Sequence, residues 1–180
     1  SKNSLLRDEL GLPVKGFVFC SFNNAYKITP STFAGWMRIL KAVEDSVLWL
    51  LEGNTTSSKN LKNEAMKLGV NENRIIFAKR IPVEDHLNRI KQADLFIDTL
   101  PYNAHTTASE ALRMGLPVLT LEGNSFASRV AASLLRAVSL PELITTTQEQ
   151  FELVAIQMAT HPEKLKKIKD KLIDNLPTAA

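Results

Sequence analysis

The stretch DLFIDTLPYNAHTTASEALRMGLPVLTLEG, residues 94–123, contains two apolar runs separated by an amphipathic segment. The runs DLFIDTL (94–100) and PVLTLEG (117–123) have the nearly continuous apolar character of strands that are buried on both faces. The segment between them begins with polar residues and ends at Gly115 and Pro117, which are typical signals for the end of a helix. This order predicts a parallel strand–helix–strand unit.

The same alternation extends over the rest of the chain. Further strands are predicted at 16–22, 46–53, 74–80 and, as a short sixth strand, 142–146. Further helices are predicted at 29–43, 57–68, 82–92, 125–137, 147–159 and 162–175. Apolar strands that alternate with helices predict an α/β fold with a doubly wound, Rossmann-like parallel sheet.

Composition narrows the possible partners. The chain has 180 residues, of which 44% are hydrophobic and 23% charged, and its net charge of +3 is too small to indicate nucleic acid binding. No apolar run approaches the roughly 20 residues that a membrane span needs, so we expect no membrane partner. Cys20 is the only cysteine, which excludes an internal disulfide and favours a reducing, cytoplasmic location. We interpret residues 1–14 as an interdomain segment and residues 15–180 as one lobe.

The loops that follow the strands are the places to look for a ligand. In a doubly wound sheet, ligands bind beyond the carboxyl ends of the strands, where the strand order reverses. Lys27 follows the first strand and is either a cation for a bound anion or a solvated side chain. Neither G-x-G-x-x-G nor G-x-x-x-x-G-K-[ST] follows this strand, which argues against a dinucleotide-binding turn and a P-loop.

The polar start of the helix near Thr106 is a candidate anion site. The N–H groups of Thr106 and Thr107 would lack helical partners and, with the helix dipole, would favour a phosphate. Glu110 lies one turn further on, where a carboxylate could accept hydrogen bonds from a ribose diol. A capped surface helix with an acid in its first turn is the alternative, but it leaves His105 unexplained.

The loop after the third strand leads into a short helix with His86 and Arg89 on one side. An imidazole can stack on a base and a guanidinium can bond its edge, although both side chains could simply be surface residues. Ser125 is interpreted as the N-cap of the next helix. Asp94 and Asp98 flank a strand without forming a D-x-D pair, and no His/Cys cluster is present, so we predict no metal site.

Several segments in collinear order resemble the C-terminal catalytic lobe of the O-linked N-acetylglucosamine transferase family, including its SPINDLY-type members. The resemblance spans about residues 15–175. The segments are FCSFNNAYKITPSTFAGWMRIL, SVLWLL, NRIIFAKRIPVEDHL, ADLFIDTLPYNAHTTASEAL and ASRVAAS. The resemblance implies the C-terminal half of a two-lobe GT-B glycosyltransferase, a class that tetratricopeptide repeats usually precede in this family.

The family resemblance also implies roles for residues at the diphosphate end of the site. It implies that Lys27 is catalytic and contacts the diphosphate, and that His105, Thr106 and Thr107 surround the phosphates and sugar. Asn24 belongs to the same nucleotide-sugar-binding set, although the animal enzymes carry Gln there.

At the nucleoside end, the resemblance implies that His86 stacks on uracil, that Arg89 lies near the base and that Ile81 belongs to the binding set. Glu110 stands where the family often has an Asp that binds the ribose. Val83 replaces a Lys that reaches the ribose, so the sugar and nucleotide preferences stay open.

The implied function is inverting transfer of N-acetylglucosamine from UDP-GlcNAc to protein Ser or Thr hydroxyls. It implies a UDP-sugar donor, no metal cofactor, and a protein or peptide acceptor bound through an N-terminal lobe and repeats that this chain does not include. We therefore expect the fragment alone to be inactive. Two alternatives are a UDP-glucose-dependent protein N-glucosyltransferase lobe and a non-catalytic nucleotide-binding scaffold, and product formation by the full-length protein would separate them.

Overall fold

The computed structural model describes residues 5–99, 103–125 and 128–179, with side chains up to residue 176 in the last range. The strands are β1 (Val18–Ser21), β2 (Val47–Leu51), β3 (Ile75–Ala78), β4 (Leu95–Ile97), β5 (Val118–Leu121) and β6 (Ile144–Thr145). They form one parallel six-stranded sheet in the order β3-β2-β1-β4-β5-β6. The α/β fold class predicted from the sequence is confirmed, and each predicted strand is present.

Helices connect the strands and cover the sheet. They are α1 (Pro30–Ala42), α2 (Thr55–Lys67), α3 (Val83–Arg89), α4 (Thr106–Arg113), α5 (Val130–Ala137), α6 (Gln148–Thr160) and α7 (Pro162–Ala179). Short 3-10 helices lie at Asp8–Leu10, Ala25–Lys27, Glu72–Arg74, Ile90–Gln92 and Pro141–Leu143. Among the described residues, no helix combines the length and the apolar character that a membrane crossing requires.

The start of α1 follows the predicted signals. Pro30 occupies the first turn and the Thr29 hydroxyl accepts a hydrogen bond from the Thr32 N–H, which caps the helix. Trp36 and Met37 then bury their side chains against the sheet, each about 1% exposed. Burying two large side chains of this kind contributes several kcal/mol of hydrophobic stabilisation, on the order of 2–3 kcal/mol each, so α1 is held mainly by packing.

The prediction that a helix begins at Ser125 is wrong, because α5 begins at Val130 with Arg129 before it. The Ser125 hydroxyl instead accepts a hydrogen bond from the Ser128 N–H at 3.3 Å, within a turn. The Gly123 N–H donates to the Ser128 carbonyl at 3.1 Å, and a Cβ at Gly123 would collide with the Ser128 hydroxyl. Serine side chains that bond nearby backbone compete with helix formation, which explains the later start.

Smaller differences concern other helix bounds. Helix α2 begins at Thr55 rather than 57, because the Asn54 side chain caps it by accepting from the Ser57 N–H at 2.7 Å. Helix α7 continues to Ala179 rather than 175. The segment before β1 packs on the lobe: Arg7 pairs with Asp94 at 3.0 Å.

The strand order reverses between β1 and β4, and this reversal positions the site. Residues of β1 pair with β2 on one side and with β4 on the other, with Cys20 opposite Trp49 and Phe96. The loops after β1 and β4 therefore begin side by side at the carboxyl edge of the sheet, the usual ligand position in this architecture. Cys20 is fully buried within β1, and burial raises the pKa of its thiol well above the usual value.

Candidate functional site

A pocket of about 180 Å³ lies beyond the ends of β1 and β2, between α3 and α4. Its lining consists of Phe22, Leu51, Arg80, Ile81, Val83, His86, Arg89, Thr107 and Glu110. Five of the residues predicted from the sequence meet here: Ile81, His86, Arg89, Thr107 and Glu110. They come from two separate segments, 81–89 with α3 and 107–110 in α4, which the fold brings together.

A larger groove of about 910 Å³ lies elsewhere on the described surface. It is lined by residues such as Phe17 and Asp94, which precede β1 and β4, and by α7. That position is the amino-terminal edge of the sheet, opposite the usual ligand position. None of the predicted site residues lines this groove, so size alone does not identify the site.

His86 and Arg89 form a hydrogen-bonded pair on α3. The Arg89 Nε–H donates to His86 Nδ1 at 3.0 Å, and the whole of Arg89 is only 3% exposed. Burial, assisted by the Arg89 charge, lowers the pKa of His86 to about 4. The imidazole is therefore neutral near pH 7, and because Nδ1 accepts a hydrogen bond, its proton lies on Nε2.

A ring contact also holds the imidazole. The Phe22 ring meets His86 edge-on, with centroids 5.0 Å apart and planes at 80°. Phe22 makes a second such contact with Trp49 at 4.9 Å, so the ring is anchored to β2. The imidazole is thus restrained by one hydrogen bond and one aromatic contact, which suits a side chain that presents a flat surface.

The start of α4 lacks a side-chain capping hydrogen bond. His105 is the N-cap, with φ −95° and ψ −80°, and its side chain makes no capping hydrogen bond. The Thr107 hydroxyl oxygen is buried and has no hydrogen-bond partner among the described residues. A buried hydroxyl without a partner is uncommon, and a bound polar group would satisfy it. Glu110 lies one turn further along the same pocket wall.

The other predicted residues lie outside the lining of this pocket. Asn24 is exposed and precedes the 3-10 helix Ala25–Lys27, while His105 and Thr106 are exposed at the start of α4. Lys27 is half-buried at the end of this 3-10 helix, and its charge acts to lower the pKa of Asp98, which follows β4. These residues therefore occupy the two loops at the reversal of strand order.

Asp98, which sequence analysis considered only as a metal ligand, is the centre of a buried hydrogen-bond network. Its Oδ1 accepts from the N–H groups of Thr99 and Ala104, both at 2.8 Å, and its Oδ2 accepts from the Thr120 hydroxyl at 2.8 Å. Burial raises the pKa of Asp98 to about 7, against the lowering effect of these bonds and of Lys27. The signal in the sequence that could have identified this role was the position of a charged residue at the end of an apolar strand.

The same network ties the loop to neighbouring elements. The Asn23 side chain donates to the Thr99 hydroxyl at 2.9 Å, which links the loops after β1 and β4. The Asn103 side chain donates to the Thr99 carbonyl at 3.0 Å and accepts from the Ala131 N–H at 3.4 Å. In the described ranges, no group of three or more His, Cys, Asp and Glu residues could hold a metal ion.

Comparisons with known proteins place the chain in a family. The sequence profile of glycosyl transferase family 41 matches residues 4–179. The UDP-N-acetylglucosamine–peptide N-acetylglucosaminyltransferase of Caenorhabditis elegans is 36% identical over 173 residues, which cover 94% of this chain and 15% of that protein. The probable enzyme SEC of Arabidopsis thaliana is 35% identical over 92% of this chain and 17% of that protein. The chain thus spans about a sixth of these relatives' length.

Solved structures agree with this assignment. A lysine-to-methionine variant of the Thermobaculum terrenum O-GlcNAc transferase matches with a TM-score of 0.88 and 33% identity, over 91% of this chain and 32% of that one. The UDP-GlcNAc 2-epimerase of Neisseria meningitidis matches with a TM-score of 0.60 at 10% identity, over 88% and 40% of the two chains, a likeness of fold alone. The chain belongs to glycosyl transferase family 41 and has the Rossmann-like fold of a GT-B glycosyltransferase lobe.

Proposed function

We propose that this chain is the nucleotide-sugar-binding lobe of an inverting enzyme that transfers N-acetylglucosamine from UDP-GlcNAc to protein Ser or Thr hydroxyls. The observation that carries the proposal is the meeting of His86, Thr107 and Glu110 in one pocket at the carboxyl edge of the sheet. The names of the curated relatives support the donor and the acceptor class. A second lobe, and repeats preceding it, would supply the acceptor groove.

At the nucleoside end, the neutral imidazole of His86 stacks on uracil. Its neutrality is useful because a flat, uncharged ring loses little solvation energy when a base covers it. Arg89 orients this ring through their hydrogen bond, and Ile81 forms an apolar wall. The Glu110 carboxylate accepts hydrogen bonds from the ribose hydroxyls.

At the diphosphate end, the exposed start of α4 and Lys27 bind the phosphates. The N–H groups of Thr106 and Thr107 and the helix dipole favour an anion there. His105 and Asn24 contact the phosphates and sugar. Negative charge on the diphosphate grows as the glycosidic bond breaks, and the Lys27 ammonium stabilises it without a metal ion. The single cysteine, Cys20, agrees with a cytoplasmic location.

Calorimetry with UDP tests the donor site on this chain as it stands. We expect weak, saturable binding that EDTA does not change and that Lys27→Met weakens. Lys91→Met, which removes an exposed lysine outside the pocket, is the matched control and should bind like wild type. Binding that requires Mg²⁺ would overturn the metal-free site, and absence of saturable binding at millimolar UDP would overturn the proposal.

The catalytic part of the proposal needs a separate test. A single lobe cannot exclude water or orient an acceptor, so the chain alone should add no hexosamine to a Ser/Thr peptide in the presence of UDP-GlcNAc. Mass spectrometry of the peptide measures this directly. The full-length protein should modify the peptide, with UDP-GlcNAc preferred over UDP-glucose and hydroxyl acceptors over Asn. Turnover by the isolated chain would contradict the two-lobe requirement.

A further inference from the structure

The Asp98 carboxylate sits at the junction of the two loops that carry the diphosphate end of the site. It is only 3% exposed, and its hydrogen bonds from Thr99 and Ala104 hold the backbone on both sides of residues 100–102. Ala104 immediately precedes His105, the N-cap of α4. A carboxylate that fixes Ala104 therefore fixes where the first turn of α4 begins.

The carboxylate also interacts electrostatically with the cation of the neighbouring loop. Lys27 is the charged residue that acts on it, and the side chains that share a small cavity with Asp98 from α1 and α6 are uncharged: Thr32, Trp36, Gln148 and Phe151. From β5, the Thr120 hydroxyl donates a hydrogen bond to it, and the apolar Leu121 lines the same cavity. The ionisation of Asp98 is therefore coupled to the Lys27 charge, and through it to any anion that Lys27 binds.

We propose that Asp98 is a positioning residue for the donor diphosphate: it fixes the start of α4, and its ionisation controls how much of the Lys27 charge is available to the phosphates. This inference rests on the proposed function. When Asp98 is ionised it competes with the diphosphate for Lys27, and when it is protonated this competition ends. The carboxyl oxygens keep their hydrogen bonds in the ionised and protonated forms, except at the position that the added proton takes.

The sign of the pH effect follows from electrostatics. A bound diphosphate near the carboxyl group disfavours its anionic form and so raises the pKa of Asp98 further in the complex. The complex then holds more protons than the free protein, and donor affinity falls as pH rises. Burial has already brought the pKa of Asp98 to about 7, so the change should fall in an accessible range.

The test is the affinity for UDP-GlcNAc, measured by calorimetry between about pH 6 and pH 8.5. UDP-GlcNAc is chosen over UDP because its diphosphate is a diester and has no phosphate group that titrates near neutrality. Wild-type affinity should fall on the order of 3- to 10-fold as pH rises, the scale of a charge–charge interaction across a partly buried site. Asp98→Asn keeps an oxygen that can accept from the Thr99 and Ala104 N–H groups, while its amide would donate to the Thr120 hydroxyl instead of accepting from it. It also removes the charge, so its affinity should vary less with pH than that of wild type.

Thr120→Val is a second variant that keeps the charge. It removes a hydrogen bond that favours the ionised carboxylate, so the midpoint of the wild-type pH response should move to higher pH. If Asp98→Asn does not fold, the shift of the midpoint in Thr120→Val tests the proposed role of Asp98 by itself. Any contribution from His105, which precedes α4, is common to all three proteins and cancels in the comparison.

The outcomes separate this inference from the proposed function. If the role of Asp98 were merely structural, its replacement would lower the affinity for UDP-GlcNAc by the same factor at every pH. Equal pH responses in wild type and Asp98→Asn, or an unmoved midpoint in Thr120→Val, would overturn the positioning role while leaving donor binding intact. A wild-type chain that binds no UDP-GlcNAc at any pH would overturn the proposed function, and this inference with it.

Discussion

Replacement of Arg89 by Met tests how the imidazole of the pocket is held. Met preserves much of the buried apolar stem but cannot donate the 3.0 Å hydrogen bond to His86 Nδ1. Such a bond contributes about 1–1.5 kcal/mol net, so the dissociation constant for UDP at pH 7.5 should rise about 5- to 10-fold. The ring stays neutral at this pH, because burial, the larger cause of its low pKa, remains. The loss therefore measures ring orientation rather than charge.

A double-mutant cycle identifies the route of this effect. Calorimetry would compare wild type, Arg89→Met, His86→Ala and the double variant, with Arg113→Met as the control, since Arg113 is exposed on α4 and outside the pocket lining. If Arg89 acts through His86, its replacement should leave the affinity for UDP almost unchanged in the His86→Ala background. Loss of the Arg89 charge should also raise the pKa of His86 from about 4 towards its ordinary value, which an NMR titration of the ring measures. An equal cost in both backgrounds would show direct contact with the ligand, and no cost in either would refute the reasoning.

In the full-length protein, Lys27→Met should lower kcat by about 10²-fold or more, because a cation on the leaving group acts mainly in the transition state. Glu110→Ala should mainly raise KM for the UDP-sugar, and steady-state kinetics that found only a KM effect for Lys27→Met would contradict its leaving-group role. For Asp98, the folded-state pKa of about 7 lies above the ordinary 3.8, so wild type should lose stability as pH rises through that window. The Tm of Asp98→Asn relative to wild type should therefore increase from pH 4 to pH 7, and a constant difference would contradict the raised pKa. Gly16→Ala should destabilise more than Gly115→Ala in urea unfolding: both have positive φ, of 112° and 82°, but only at Gly16 does an added Cβ collide with backbone. The strain alone should cost about 1–2 kcal/mol at Gly115, and equal losses at the two sites would contradict the steric argument.

The elements that sequence analysis located best are those with strong local signals. The run at 16–22 contains β1, and Thr29 with Pro30 marks the start of α1, because capping and apolar periodicity act within a few residues. The predicted start of α5 was wrong because the local signal there was misleading. Ser125 looks like an N-cap in the sequence, but it bonds within a turn that Gly123 allows to close tightly.

The candidate site was partly predictable in the same way. The spacing of His86 and Arg89 indicated one face of a helix, yet not their hydrogen bond or the contact with Phe22, which belongs to the loop after β1. Five of the predicted residues share one pocket, but whether these or Lys27, Asn24, His105 and Thr106 contact a donor stays a prediction. Sequence analysis considered Asp98 only as a possible metal ligand, because the hydrogen-bond partners of its carboxylate, Ala104 and Thr120, lie 6 and 22 residues away in the sequence.

Sequence by itself determined that the chain alternates apolar strands with amphipathic helices, that the sheet is parallel, and that polar residues follow the strands. These properties depend on periodicity and capping, which are local and can be seen in a linear string. Only the tertiary structure decided which post-strand loops meet, because the strand order places β1 beside β4, whose paired residues lie 76 positions later in the chain. Burial then set the chemistry: the same fold that packs β1, β4 and β5 together lowers the pKa of His86 and raises that of Asp98, and desolvation of this kind depends on every element around a side chain.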